Sequence, residues 1–167
     1  FNEKGYQYVD LAGFYWIAED ASHTGNIITP IANYLNELKY SFNWIPFFNS
    51  DGHESWKELG FHYAYYQPNY YFDDKIPLTR LDEACKEALR CNMQMEMEFE
   101  DDVLAAHGKA YRLENYMAKF KEYGVWEKCR LAYYQSNSAL LTLKLEKADY
   151  QARVEKTLKT YRQKANI

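Results

Sequence analysis

Polar and apolar side chains alternate strictly along the stretch MQMEMEFE, from Met93 to Glu100. On a helix, alternate residues point in unrelated directions, whereas on a strand the period is two and the three glutamates of this stretch share one side. The apolar side must then pack on something, and the acidic side must face water or a cavity. The simpler alternative is an edge strand with one wet face. Edge strands usually carry lysine and mixed charge, however, and like charges in a row repel one another.

Strand-like and helix-like stretches alternate along most of the chain. Short runs rich in aromatic and apolar residues predict strands at Phe14–Ala18, Asn43–Phe47, Tyr63–Tyr66, Met93–Phe99 and Arg130–Tyr134. Helical spacing of apolar residues predicts helices between them, most clearly in TPIANYLNELKY, PLTRLDEACKEALR and KAYRLENYMAKFKEYG. This alternation implies parallel strands that are covered by helices.

The acidic row discriminates between two parallel-sheet architectures. In an open doubly wound sheet both faces are covered by helices, and three buried glutamates would be very costly. In a closed barrel the second side of each strand faces the interior, which opens at the carboxyl ends of the strands, where barrel enzymes keep their active sites. The sequence therefore predicts an α/β fold, the C-terminal part (about five βα units) of a TIM-type (β/α)8 barrel.

The chain is short for such a barrel. A complete barrel has eight strands and needs about 250 residues, whereas this chain has 167. We expect residues 1–135 to form C-terminal βα units of a barrel, and residues 136–167 to form a terminal helical segment that packs on it. The expected partner is then the remaining N-terminal barrel portion of a longer parent chain. The alternative is that the strand count is too low.

Composition argues against several other functions. The net charge is −4 without a basic stripe, so no nucleic acid partner is expected. No uncharged apolar run is long enough for a membrane span. The three cysteines lack C-x-x-C spacing and the four histidines lack i, i+4 spacing, so no metal and no cofactor is expected. The 17 tyrosines indicate either a cleft lined with amphipathic rings or a tyrosine-rich core.

Six segments resemble a known family in their order and spacing: GFYWIAED, NWIPFF, WKELGF, YYQPNYYF, MEMEFE and LAYYQ. They look like the bacterial domain of unknown function family 4855, over the span from Gly13 to Gln135, and QPNYYF and EMEFE are the most specific parts. The resemblance implies a glycosidase-like barrel in proteins of carbohydrate-degrading bacteria. Because such proteins are often exported, it also implies a periplasmic or extracellular location. It implies no particular substrate.

Two glutamates are the expected catalytic residues, because glycoside hydrolysis needs two carboxyl groups that flank the sugar bond. If the five predicted strands are the fourth to the eighth of a barrel, Glu19 ends strand four and Glu98 lies near the end of strand seven. This placement resembles that of a large group of retaining glycosidases, in which the acid/base is on the fourth strand and the nucleophile on the seventh. Glu19 could instead be a helix N-terminal acid or a loop charge.

Further residues are expected to bind the substrate. Glu96 and Glu100 share a side with Glu98, and like charges so close should raise at least one pKa, which suits a proton donor. The amides of Gln67 and Asn69 could bind sugar hydroxyls or merely cap a loop. Aromatic rings pack well on the C–H faces of sugars, and three are candidate stacking platforms: Trp44, Tyr66 and Tyr133.

The expected function is therefore that of a glycoside hydrolase, with carbohydrate as the ligand and a two-carboxylate mechanism. The alternative is a non-catalytic carbohydrate-binding or scaffold barrel, in which the acids bind cations or polar ligands. The separation of the two catalytic carboxyls would discriminate between mechanisms: about 5–5.5 Å implies retention, and roughly 6.5–9.5 Å implies inversion.

Overall fold

The chain forms two compact units that meet in sequence between Tyr66 and Gln67. The structure is a computed structural model that describes residues 2–104, 107–145, 152 and 154–160. Both units mix helices and strands, and the paired strands within each unit are parallel, as the alternation predicted. The division between the units falls inside the segment 1–135, which the sequence assigned to one set of βα units. Over the described part of the chain, no helix is both long enough and apolar enough to cross a bilayer.

The first unit contains three strands and one α-helix among its described residues, with two short 3-10 helices at Asn2–Lys4 and His53–Ser55. In chain order the larger elements are β1 (Gly13–Trp16), α1 (Gly25–Glu37), β2 (Ser41–Trp44) and β3 (Tyr63–Tyr66). β2 pairs with both of the other strands, so that Trp44 lies opposite Trp16 and Ala64. α1 packs on β2. Buried residues of both elements form this part of the core: Ile28, Ala32, Leu35, Phe42 and Trp44.

The second unit contains two paired strands and several helices. In chain order they are α2 (Thr79–Arg90), β4 (Gln94–Glu98), a 3-10 helix (Asp101–Val103), α3 (Ala110–Glu122), α4 (Val125–Lys128), β5 (Leu131–Tyr134) and α5 (Ala139–Leu145). Residues 154–160 are also helical. α5 and this last stretch fall within 136–167, where the sequence predicts a terminal helical segment. The rest of that prediction, at 146–151, 153 and 161–167, lies outside the described residues.

Both sides of β4 are buried. Met95 and Met97 have no exposed surface, as the apolar side of the alternation predicted. Glu96 and Glu98 are buried as well, with 5% and 0% of their surface exposed. α2 and α3 both pack on this strand, and α2 also packs on α3. The acidic side of β4 is therefore not an open surface, and the burial of its carboxyl groups requires a structural explanation.

Candidate functional site

Glu98 is the last residue of β4, and its carboxyl group is held asymmetrically. The hydroxyl of Tyr116, on α3, donates a hydrogen bond to Oε2 of Glu98. The buried Oε1 accepts no hydrogen bond from any residue that the structure describes. The amide of Gln67 and the backbone N–H groups of Tyr70 and Asn69 face the carboxyl and favour its charged form, without reaching full hydrogen-bond geometry at Oε1. One oxygen is thus fixed and the other is left unpaired.

Burial raises the pKa of Glu98 to about 7, because removal from water disfavours the charged carboxylate. The hydrogen bond from Tyr116 and the nearby amide and N–H groups oppose this rise. A carboxyl with such a pKa is divided between its neutral and charged forms near pH 7. Burial, followed by the charge of Glu98, raises the pKa of Tyr116 well above its usual value. Tyr116 therefore keeps its proton at neutral pH and remains a donor.

The segment after β3 supplies the other groups that face Glu98. Gln67 and Asn69 are half-buried, whereas Pro68 and Tyr70 are buried, which is the period of two expected from the sequence. Asn69 adopts a φ of 51°, in the left-handed region that asparagine tolerates better than most residues. The structure thus brings Gln67 close to Glu98, as part of the predicted site. Asn69 contributes its backbone N–H to the carboxyl's surroundings, where the sequence had suggested its side-chain amide.

Tyr116 was not identified from the sequence. It lies on the buried side of α3, in a stripe at helical spacing whose other members are Ala110, Leu113, Met117 and Phe120. Such a stripe indicates core packing, and Tyr116 does pack edge-on against Phe120, with ring centroids 5.6 Å apart. The only signal in the sequence is that this stripe contains a hydroxyl, which must find a partner when it is buried.

The neighbouring acids have different surroundings from Glu98. Glu96 is buried within β4, and Glu100 is half-buried just beyond the strand. The sequence predicted that repulsion along the acidic row would raise a pKa. In the structure the largest cause of the raised pKa of Glu98 is burial. The raised pKa of Glu98 therefore comes mainly from its separation from water, rather than from repulsion by neighbouring acids.

The register of β4 and β5 places a different tyrosine beside the acids. Tyr134 lies opposite Glu98, and Tyr133 lies opposite Met97. Because paired residues of parallel strands point to the same side, Tyr134 shares the side of Glu98, and Tyr133 shares the methionine side. Tyr134 is 45% exposed and packs edge-on against Phe72, with ring centroids 5.8 Å apart. Tyr134 is thus the exposed ring on the side of Glu98, whereas Tyr133, the stacking platform expected from the sequence, is 39% exposed on the methionine side.

The other two candidate stacking platforms lie in the core of the first unit. Trp44 and Tyr66 have no exposed surface. Trp44 stacks on Phe61 with ring centroids 5.0 Å apart, and its Nε1 donates to the carbonyl oxygen of Ala18 at 2.7 Å. The hydroxyl of Tyr66 accepts a hydrogen bond of 2.8 Å from the backbone N–H of Asn49. Neither ring has an exposed face that a sugar can cover, because neighbouring side chains bury both rings completely.

Glu19 follows β1 and lines a groove of about 470 Å³ in the first unit, together with Ile17, Ala18, Asp20, Ser22, His23, Thr24 and Phe47. Glu19 is exposed, yet partial burial raises the pKa of its carboxyl. The adjacent Asp20 has its oxygens occupied by the backbone N–H groups of Ser22 at 2.7 Å and Asp51 at 2.8 Å. The hydrogen bonds from Ser22 are the largest cause of its lowered pKa. Of these two carboxyls, Glu19 is therefore the one whose neutral form is favoured.

Comparison with protein families identifies the chain. It matches the family described as Domain of unknown function (DUF4855) over residues 1–160. This match covers most of the chain, so the chain belongs to that family, and the resemblance noted in the sequence is confirmed. A search of curated proteins found no match to the chain.

Proposed function

We propose that this member of the DUF4855 family belongs to a glycoside hydrolase that acts on a polysaccharide or glycan. The observation that most directly supports the proposal is the geometry of Glu98, a fully buried carboxyl at the end of β4 whose Oε2 is held by Tyr116 and whose Oε1 is unpaired. The proposal includes a TIM-type barrel completed by an N-terminal portion of the parent chain. It also includes the bacterial origin and exported location that the family resemblance implies.

In this proposal Glu98 is the nucleophile. Its charged form attacks the anomeric carbon through Oε1, and the bond from that carbon to the leaving oxygen breaks as a glycosyl–enzyme ester forms. Tyr116 keeps its hydrogen bond to Oε2, which orients the carboxylate so that Oε1 is the attacking atom. Poor solvation favours this chemistry, because a carboxylate without a water shell has less solvent to lose during the attack.

Glu19 is the proposed acid/base. In the first step its proton passes to the leaving oxygen of the departing sugar. In the second step the same carboxylate takes a proton from water, which attacks the anomeric carbon and releases Glu98. The raised pKa of Glu19 supports this role, because a carboxyl must hold its proton near the working pH in order to donate it.

Access is the strictest requirement of the proposal, since Glu98 has no exposed surface. Gln67, Asn69 and Tyr70 face its carboxyl from the segment between β3 and α2. A sugar can reach Oε1 only if groups that cover it move, and in this proposal the movement is in this segment. We therefore expect the backbone amides around Tyr70 to change their rate of hydrogen exchange when a glycan binds.

The second candidate is a non-catalytic carbohydrate-binding or scaffold barrel. It is favoured by the same complete burial, because a carboxyl without exposed surface can serve to fix the end of β4. Under this alternative Tyr116 and Glu98 are a structural pair, and the exposed Tyr134 is a more suitable ligand contact than either acid.

An assay of the full polypeptide that includes this chain discriminates between the two functions. We expect hydrolysis on a panel of glycans, and a loss of more than about a thousandfold in kcat for Glu98→Gln. Glu83→Gln is the matched control, since it removes a carboxylate from an exposed position on α2 that has no role in the proposal. Saturable sugar binding without hydrolysis by the unmodified protein would favour the scaffold, and full activity of Glu98→Gln would exclude Glu98 as the nucleophile.

A further inference from the structure

A buried guanidinium holds the segment that faces Glu98. Arg112, on α3, is only 2% exposed. Its Nη2 donates to the backbone carbonyl oxygens of Tyr70, of Asp73 at 2.9 Å and of Ile76 at 3.3 Å. Its Nη1 lies 3.7 Å from the carboxylate of Asp74. A buried cation is costly unless it is paired and hydrogen-bonded, so these contacts with a single short segment explain why arginine is tolerated here.

Tyr70 connects this segment to the surroundings of Glu98. The guanidinium of Arg112 lies 3.8 Å from the centroid of the Tyr70 ring, and the rings of Tyr70 and Tyr116 pack edge-on with centroids 5.6 Å apart. The Tyr70 hydroxyl accepts a hydrogen bond of 2.7 Å from Nδ2 of Asn115. The carbonyl, the ring and the hydroxyl of Tyr70 are therefore all held by α3. Its backbone N–H, on the remaining side, faces Glu98.

Arg112 and Tyr116 act from the same face of one helix, because residues four apart on a helix are neighbours. Tyr116 bonds directly to Oε2 of Glu98. Arg112 instead fixes the backbone that brings the N–H groups of Asn69 and Tyr70 towards the same carboxyl. These two groups favour the charged carboxylate, so their distance from Glu98 affects how easily it ionises.

We propose that Arg112 is a positioning residue for Glu98: it fixes the carbonyl and ring of Tyr70, and thereby holds both the Tyr116 ring that packs on Tyr70 and donates to Glu98 and the backbone N–H groups beside the carboxylate. The inference deepens the proposed function, because it concerns the same carboxyl. Its test needs no substrate, however, so it can fail while the hydrolase proposal stands, and the reverse also holds.

Several other groups face this carboxyl or its partners and must be considered in any titration. Glu96 lies on the same strand and contributes to the raised pKa of Tyr116. Tyr134 lies opposite Glu98 on β5, and Asp74 is paired with Arg112. Arg112 also has a positive charge, which would by itself favour the charged form of a nearby carboxyl. A lysine variant separates the two effects, since it keeps the charge and loses the planar fork of donors.

The experiment follows the ionisation of Glu98 by carboxyl carbon NMR, with Glu98→Gln used to assign the signal. We expect Arg112→Lys and Arg112→Gln each to raise the pKa of Glu98 by about one unit, comparable to the loss of one hydrogen bond to a charged group. Lys121→Gln is the control, because it removes a cation from an exposed position on the same helix. An unchanged Glu98 pKa in a folded Arg112→Lys protein would overturn the proposal.

A stability measurement separates positioning from simple anchoring. If Arg112 only anchors the segment, Arg112→Lys lowers the melting temperature by the same amount in the unmodified chain and in the Glu98→Gln variant, at every pH. If it supports the charged carboxylate, the loss grows above pH 7 and only where Glu98 is present, so equal losses overturn the proposal. If neither Arg112 variant folds, Asn115→Ala replaces them, because it removes only the hydrogen bond to the Tyr70 hydroxyl. A raised Glu98 pKa in that variant supports the inference, and an unchanged one overturns it.

Discussion

Tyr116 donates a hydrogen bond to Oε2 of Glu98, although the two residues are 18 positions apart and neither has exposed surface. This bond explains how a glutamate can end a buried strand. Burial disfavours the charged carboxylate, and the bond recovers part of that cost. The result is a carboxyl whose ionisation falls near neutral pH, rather than one that is permanently charged or permanently neutral.

Removal of the Tyr116 hydroxyl should weaken this carboxylate. We expect Tyr116→Phe to lower the free energy of unfolding by about 1–3 kcal/mol, as for a hydrogen bond to a charged group, and to raise the pKa of Glu98. Urea denaturation at pH 8, where Glu98 is mostly charged, measures the first effect. Tyr111→Phe is the matched control, since Tyr111 is on the same helix and 45% exposed. Equal losses in the two variants would mean that the hydroxyl of Tyr116 contributes nothing specific.

The pH dependence of stability has a definite sign at Glu98. Its pKa is raised from 4.5 to about 7 in the folded chain, so between these values the folded state binds more protons than the unfolded state. Stability from this group therefore falls as pH rises from 4.5 to about 7 and levels off above, by roughly 3 kcal/mol in total. The measurement is the difference in unfolding free energy between the unmodified chain and Glu98→Gln from pH 4 to 9. A difference independent of pH would contradict the raised pKa.

Much of the fold could be predicted from periodicity. β3 occupies the predicted range Tyr63–Tyr66, and β4 lies within its predicted range. α1 was predicted to start close to Pro30, because proline favours the first helical position. It begins at Gly25 instead, with Pro30 inside the helix. Packing against β2 stabilises the helical residues before Pro30, although local preference places a proline at the N-terminus of a helix.

The site was less predictable, for a physical reason. From the sequence alone, buried glutamates are too costly for a covered strand, but that cost depends on partners that periodicity cannot reveal. Tyr116 and Arg112 both lie on the buried side of α3, where helical spacing indicates only core. Their roles appear only when α3 packs on β4 and on the segment from Gln67 to Ile76. Gln67 and Glu98, by contrast, were both identified from alternation along their strands.

The cysteines should differ strongly in reactivity. Burial raises the pKa of the Cys85 thiol to about 12, so almost no reactive thiolate forms at pH 8. Cys129 is buried as well, whereas Cys91 is half-buried. We expect a thiol-specific reagent to modify Cys91 first and the other two only at the rate of unfolding. Loss of the fast phase in Cys91→Ser is the control, and rapid modification of Cys85 in the folded chain would contradict its burial.

Gly60 should tolerate no side chain. Its φ is 94°, and a Cβ atom there would come within 2.5 Å of the Cβ of Ala32 on α1. Both the backbone and the packing oppose substitution, so we expect Gly60→Ala to lower the free energy of unfolding by about 1–3 kcal/mol. Gly25→Ala is the control, because a Cβ at the start of α1 meets nothing within 4 Å. Thermal melts of both variants test this, and similar melting temperatures would contradict the close approach of Gly60 to α1.

The role proposed for Glu19 can be tested by the choice of leaving group. Proton donation matters most when the departing oxygen is a poor leaving group, so Glu19→Gln should lower kcat on an unactivated glycan by about 10²–10⁴-fold. An aryl glycoside with an acidic phenol needs little protonation, and its glycosyl–enzyme intermediate should form at nearly the normal rate in a pre-steady-state burst. Glu37→Gln is the control, since Glu37 is an exposed carboxyl at the end of α1. The variants and the unmodified chain are compared in the full polypeptide, with both substrates. Equal losses on the two substrates would exclude Glu19 as the proton donor, and unchanged activity on both would move the acid/base role to another carboxyl.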